Sequence, residues 1–150
     1  LTLASVGGTA TLSADVDVTT LAVDNTVANV AFTGNGSSVT KAVSFAKDGT
    51  LTLGTSGGTQ TYNAGLTTTS VGGTVTLNGT IASSDDAVVL GAITLGSATT
   101  VDTNATDNGA DITVAAITGG PNNLTFSTGD NIWSADITAS GASSGLGTLT

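Results

Sequence analysis

Thr50-Leu51-Thr52-Leu53 and Thr74-Val75-Thr76-Leu77 decide how this chain is read. In both, threonine alternates with an aliphatic residue, the two-residue period of a strand with one face buried and the other in water. The same alternation recurs at 9–12, 15–18, 111–114 and 123–126, with β-branched residues throughout. Between these pieces lie Gly7-Gly8, Gly34-Asn35-Gly36, Asp48-Gly49, Gly57-Gly58, Gly72-Gly73, Asn108-Gly109 and Gly119-Gly120. Glycine and asparagine tolerate positive φ, so each is turn chemistry. No apolar stripe at i, i+3, i+4 runs for three turns, and the chain reads as all-β.

Aligned on the two deciding stretches, segments starting at Leu1, Thr26, Thr50, Thr74, Thr99, Asn123 and Thr148 recur every 24 to 25 residues. That period belongs to stacked-unit architectures and predicts a parallel β-solenoid (β-helix) of about six rungs. A second phase, glycine, three residues, an apolar residue, then Ser or Asn, appears at 8–13, 58–63, 73–78 and 129–134. A rung of this length cannot bury an apolar face alone, but stacking rungs about 4.8 Å apart makes the core continuous. Leu53, Leu77, Val101 and Phe126 are expected inside, threonines outside, and Ala and Gly at the corners. The alternative is an immunoglobulin-like β-sandwich, which also has short strands and frequent turns. One Trp, one Tyr and three Phe are few for a two-sheet core, and there is no cysteine.

Composition narrows function. In 150 residues there are 31 Thr, 21 Gly and 15 Ser, but no Arg, Glu, His, Cys or Met. Eleven Asp against Lys41 and Lys47 give a net charge of -9, which repels nucleic acid and anionic membrane surfaces. No apolar run approaches the roughly 20 residues of a membrane-spanning helix. Without Cys and His, disulfides and the common zinc and iron-sulfur sites are excluded. Leu1 falls inside an alternating pattern, so residues 1–150 read as a single solenoid segment cut from a longer repeat array, with any secretory signal lying elsewhere.

Gly57-Gly58-Thr59-Gln60-Thr61-Tyr62-Asn63 and Gly72-Gly73-Thr74-Val75-Thr76-Leu77-Asn78-Gly79-Thr80-Ile81 carry a resemblance, continued by Val88-Val89-Leu90-Gly91-Ala92-Ile93-Thr94-Leu95 and Gly120-Pro121-Asn122-Asn123-Leu124-Thr125-Phe126. This grammar resembles the repeats of very large bacterial surface proteins related to filamentous haemagglutinin, adhesin-like proteins. The resemblance implies secretion to the cell surface, a long parallel β-helix, and a rod that holds adhesive parts away from the cell. It covers 50–150 well and 1–49 more loosely. Its implied partners are neighbouring repeats or other copies, through strand-edge stacking, and a host-cell or glycan receptor.

Acidic loops depart from that grammar. Asp85, Asp86, Asp102, Asp107 and Asp111, with Asn104 and Asn108, place several oxygens near two expected loops, and Ca²⁺ takes six to eight oxygen ligands. Neither the glycine-rich calcium nonapeptide nor the helix-loop-helix calcium loop is present, so solvated turn carboxylates are the expectation and Ca²⁺ the alternative. No catalytic residue is expected. Asp85 and Asp86 are adjacent, would point to opposite faces of a strand, and have no Arg or His to assist glycoside hydrolysis. A serine nucleophile lacks its usual base, and neither lysine sits in a serine-lysine motif. Lys41 and Lys47 lie near Asp48 on one expected loop, where a solvated face is the ordinary reading. Tyr62 and Trp133 share a position in the second phase; they are expected to fill the core, while facing outward they would offer a stacking platform for sugar rings. The function these features suggest is a stiff structural segment of a secreted surface fibre, with a carbohydrate- or calcium-binding β module as the alternative.

Overall fold

A computed structural model describes residues 1–104, 109–129 and 135–150. Among the described residues, sixteen strands and no helix wind into a parallel β-solenoid of about six turns. The first rung holds β1 (Thr2–Leu3), β2 (Thr9–Leu12) and β3 (Asp17–Val18); the second β4 (Ala22–Val23), β5 (Asn29–Phe32) and β6 (Ser38–Val39). The third is β7 (Val43–Lys47), β8 (Leu51–Leu53) and β9 (Thr59–Tyr62). In the fourth, β10 (Leu66–Val71) is followed by β11 (Val75–Ala82), and the fifth is the single long β12 (Val88–Asp102). β13 (Ile112–Thr118) and β14 (Leu124–Ser127) form the sixth, and β15 (Ile137–Ala139), β16 (Ser143–Ser144) and a bridge at Leu149 begin a seventh.

Every pairing among the described residues is parallel, which rules out the antiparallel sandwich. The strands form three ladders, one per face. On the second face β2, β5, β8, the first half of β11, the middle of β12, the end of β13 and β16 pair in succession. On the third face β3, β6, β9, the second half of β11, the end of β12, β14 and Leu149 do the same. The first face pairs β1 with β4, and then β7, β10, β12, β13 and β15, with no strand pairing between β4 and β7.

The two-residue period sorts side chains inward and outward on every face. Inside the second face, Leu12, Phe32, Leu53, Leu77 and Leu95 stack in register, beside Ala10, Val30, Leu51, Val75, Ile93 and Ile117. Val101 and Phe126 pair inside the third face, and Leu66, Val88, Ile112 and Ile137 inside the first. Leu53, Leu77 and Val101 are wholly buried, as the alternation predicts, while Phe126 is half-buried against the core.

The expected register is corrected. Thr2 pairs with Ala22 and Ile112 with Ile137, so turns span 20 residues near the start and 25 near the end rather than a constant 24 to 25. The segments from Thr50 and Thr74 do share the second face, but those from Thr99, Asn123 and Thr148 share the third, and Leu1 leads into the first. Alternation tells inside from outside and is identical on all three faces, so it cannot say which face a strand joins.

Small residues close the corners. Extending the second-face register one residue back gives the column Gly8, Ala28, Gly49, Gly73, Gly91, Ala115 and Gly141, where the chain turns from the first face into the second. A Cβ built on Gly49 would lie 1.6 Å from the Ala28 carbonyl oxygen, and one on Gly141 1.9 Å from that of Ala115. Between the second and third faces, β11 bends at Gly79, whose φ is +64° and where its register against β12 shifts. Polar side chains tie successive rungs where the backbone turns. Asn29 Oδ1 accepts from Thr50 N at 2.9 Å, Asn35 Oδ1 from Thr59 N at 3.1 Å, and Asn122 Nδ2 donates to the Leu95 carbonyl at 2.9 Å.

Candidate functional site

The acidic candidates among the described residues, Asp85, Asp86, Asp102 and Asp111, lie around one edge of the prism, the corner between the third face and the first. Asp85 and Asp86 lie in the turn from β11 to β12, not on a strand, and Asp85 has a φ of +61°. The Ser83 hydroxyl donates to the Asp86 carbonyl and steadies this turn. Asp102 ends β12, and its carboxylate accepts from Asn104 N at 3.0 Å. Asp111 precedes β13 and accepts from Asp136 N, one rung further on, at 2.9 Å. Asp107 lies outside the described residues, as do Asn108 and Trp133. Among the described residues no three acidic side chains converge closely enough to hold a metal ion. The carboxylates whose partners are seen behave as turn caps, accepting backbone N–H groups.

Two polar side chains, Lys47 and Gln60, occupy inward positions of their strands, in step with Val43 and Phe45 and with Tyr62. Lys47, expected on a solvated loop, ends β7 as an inward residue and is 2% exposed. Its Nζ donates to the carbonyls of Ala28 and Thr50, both at 3.0 Å. Ala28 belongs to the rung before, so the ammonium links two rungs close to where the first-face pairing between β4 and β7 is missing. Burial holds the Lys47 pKa below its ordinary value, and the nearby Asp48 carboxylate opposes that only in part. Both its partners are carbonyls, so its role is structural rather than that of a base for a hydroxyl nucleophile.

Gln60 is also buried, 1% exposed. Its Nε2 donates to the Phe32 carbonyl at 2.9 Å and the Gly34 carbonyl at 3.2 Å, and its Oε1 accepts from the Tyr62 hydroxyl at 3.0 Å. Tyr62 therefore fills the core, as expected, with its ring edge-on to Phe32 at 6.5 Å. Burial pushes the Tyr62 pKa well above its ordinary value of 10.0. It offers no face to a sugar.

These two groups set an alkaline pH profile. Lys47 binds its proton less tightly folded than unfolded, so its unfavourable contribution is relieved as pH rises toward 10.5. Tyr62 is the reverse: above pH 10.0 the unfolded chain ionises it and the folded chain does not, so stability falls with rising pH. In denaturant titrations across this range, Tyr62→Phe is expected to flatten the fall above pH 10, and Lys47→Met to remove the rise below it. Profiles that overlay the parent chain would contradict both assignments.

On the surface, the outward threonines of the third face form one rank, Thr59, Thr80, Thr100, Thr125 and Thr150, each in register with the next. An open depression of about 480 Å³ runs beside Thr80, Thr100 and Thr125, and another of about 360 Å³ beside Thr74, Thr94 and Thr118. A third, of about 300 Å³, lies at the acidic corner and takes in Asp86. None is lined by an aromatic residue, and no lysine reaches them. No helix among the described residues is long and apolar enough to cross a membrane.

Compared with known proteins, the chain matches no family model, no curated protein and no solved structure.

Proposed function

We propose that this chain is a stiff structural segment of a secreted bacterial surface fibre or adhesin, and that it carries load and spacing rather than catalysis. The observation that supports this reading is the unbroken parallel pairing of two faces from the first rung to the last. Bending such a prism compresses one ladder while stretching another, so resistance is shared among backbone hydrogen bonds on different sides of the axis. Its chemistry also suits a protease-rich exterior: of two lysines, Lys47 is buried, which leaves trypsin-like enzymes Lys41 alone.

Immunogold labelling of intact source cells with antibody against this chain tests the reading. Gold is expected on projections outside the envelope; gold confined to the cytoplasm would overturn it. The alternative, a carbohydrate- or calcium-binding module, draws on the acidic corner. Calorimetry with Ca²⁺ and with a panel of glycans is expected to give no saturable heat. Saturation at a one-to-one ratio, abolished by Asp102→Asn or Asp111→Asn, would establish the alternative instead.

A further inference from the structure

We infer that the second face of the prism is an ice-binding surface, whose ligand is water ordered as a crystal. The inference goes beyond the rod reading and does not depend on it. Its basis is a grid of two columns along the flank of the solenoid. Thr52, Thr76, Thr94 and Thr118 stand outward in four successive rungs, each in register with the next. Two residues back on the same strands, the outward positions hold Thr50, Thr74, Ala92 and Ala116, and Thr9 and Thr11 supply the same pair in the first rung. Within a column the repeat is the strand-pairing distance of about 4.8 Å, and between columns it is two residues of strand, about 6.7 Å. Both distances fall within about a tenth of the oxygen repeats along and across the prism plane of hexagonal ice.

Charge sets the same face apart. The chain carries -9, yet no described aspartate and neither lysine points outward from the second face; Asn29 and Ala31 fill its second rung and Ser144 its seventh. On the third face the matching columns are interrupted by Asp17 and Asp102. A fixed charge turns neighbouring water dipoles toward itself and breaks a tetrahedral lattice. Threonine instead offers a methyl that water can cage and a hydroxyl that joins the cage as donor and acceptor. The open depression of about 360 Å³ lies between the columns, with Thr74, Ala92 and Ala116 on one side and Thr94 and Thr118 on the other, and has room for a file of waters. Backbone pairing fixes the grid before binding, so little freedom is lost when it meets a lattice. A second copy is a poorer occupant: the first six rungs offer roughly 240 Å² of this face, against about 800 Å² per partner in a stable complex. Ice needs no such area, because the crystal grows around what it holds.

Osmometry on single ice crystals tests the inference. The parent chain is expected to open a gap between melting and freezing that widens with protein concentration, and to facet the crystal within the gap. Thr76→Lys and Thr118→Lys each place a charge on the grid at an outward side chain, and each is expected to narrow the gap at least tenfold at equal concentration. Thr113→Lys places the same charge outward on the first face, beside Val89 and Thr138, and is expected to leave the gap unchanged. A parent chain that opens no more of a gap than an unrelated protein of equal size would overturn the inference. So would grid variants that keep the parent's gap, or a first-face variant that loses it as fully as they do. If circular dichroism shows that a grid variant has lost its β signal, fluorescently labelled parent chain decides alone: it is expected to enter a slowly grown ice front, and its exclusion into the remaining liquid would overturn the assignment. Parent chain that pairs through this face in sedimentation, with the grid variants monomeric, would assign the face to a second copy instead.

Discussion

A Gly49→Ala chain is expected to melt about 6 to 12 °C below its parent, and a Gly8→Ala chain within about 2 °C of it. Both glycines stand in the same corner column, one turn of backbone before an inward strand. They differ in what lies beneath. A Cβ on Gly49 would sit 1.6 Å from the Ala28 carbonyl oxygen, whereas nothing lies within 4 Å of one on Gly8. That oxygen is also held by the Lys47 ammonium, so it cannot swing aside without unseating a buried charge. The rungs on either side are fixed by strand pairing between β5 and β8, which leaves the clash to be absorbed by distortion costing about 3 kcal/mol. At about 2 to 4 °C per kcal/mol for a chain of this size, the melting shift follows. Equal melting of the two variants would show that the corner column is not close-packed along the axis. Gly57 is a useful third case: a Cβ there also meets nothing, but its φ of +72° makes alanine strained for a backbone reason alone.

That column shows what the sequence does and does not disclose. Solenoid winding, strand positions and small corners follow from alternation, from β-branched content and from glycine pairs between strands. Residues 9–12, 50–53, 74–77 and 123–126 all lie on strands or within one residue of them. The length of each turn is another matter. A corner gains or loses residues without altering the in-out pattern of its flanks, so Leu1-Thr2-Leu3 and Thr50-Leu51-Thr52-Leu53 look alike although one serves the first face and the other the second. β12 hides for a related reason: it crosses all three faces as a continuous strand through single residues, Gly91 and Gly96, with no doublet to announce a turn. Lys47 was expected in water, as lysine usually is, although it continues the inward positions of Val43 and Phe45; the Ala28 carbonyl that receives it comes from the rung before and could not be read locally. The acidic candidates were partly legible. Their place in loops as turn carboxylates could be read from the sequence, while the corner that the two loops share and the engagement of Asp102 and Asp111 with backbone N–H groups could not.

Phe32→Ala is expected to lower stability by about 3 to 5 kcal/mol, and Phe126→Ala by roughly a third of that, read as denaturant midpoints. Phe32 is wholly buried, stacked between Leu12 and Leu53, and its ring meets Tyr62 edge-on across the prism at 88°. Truncating it opens a void that the stack cannot close, because strands on either side are kept at their pairing distance of about 4.8 Å. Tyr62 then loses its aromatic partner while its hydroxyl stays tethered to Gln60, and Gln60 to the Phe32 carbonyl, so the polar core is held in place around the void. Phe126, paired with Val101 in the sixth rung, is only half-buried and leaves a site that water fills. The slope of the transition carries a separate message. A solenoid is held by nearest neighbours, so weakening the second rung could release the first two rungs ahead of the rest, which would appear as a shallower or divided transition. A midpoint shift at constant slope is the expected result, because β5 is tied to β8 by pairing, and the Lys47 and Gln60 side chains cross from the third rung to the second. Equal losses for the two phenylalanines would mean that the interior ladder does not carry the stability assigned to it.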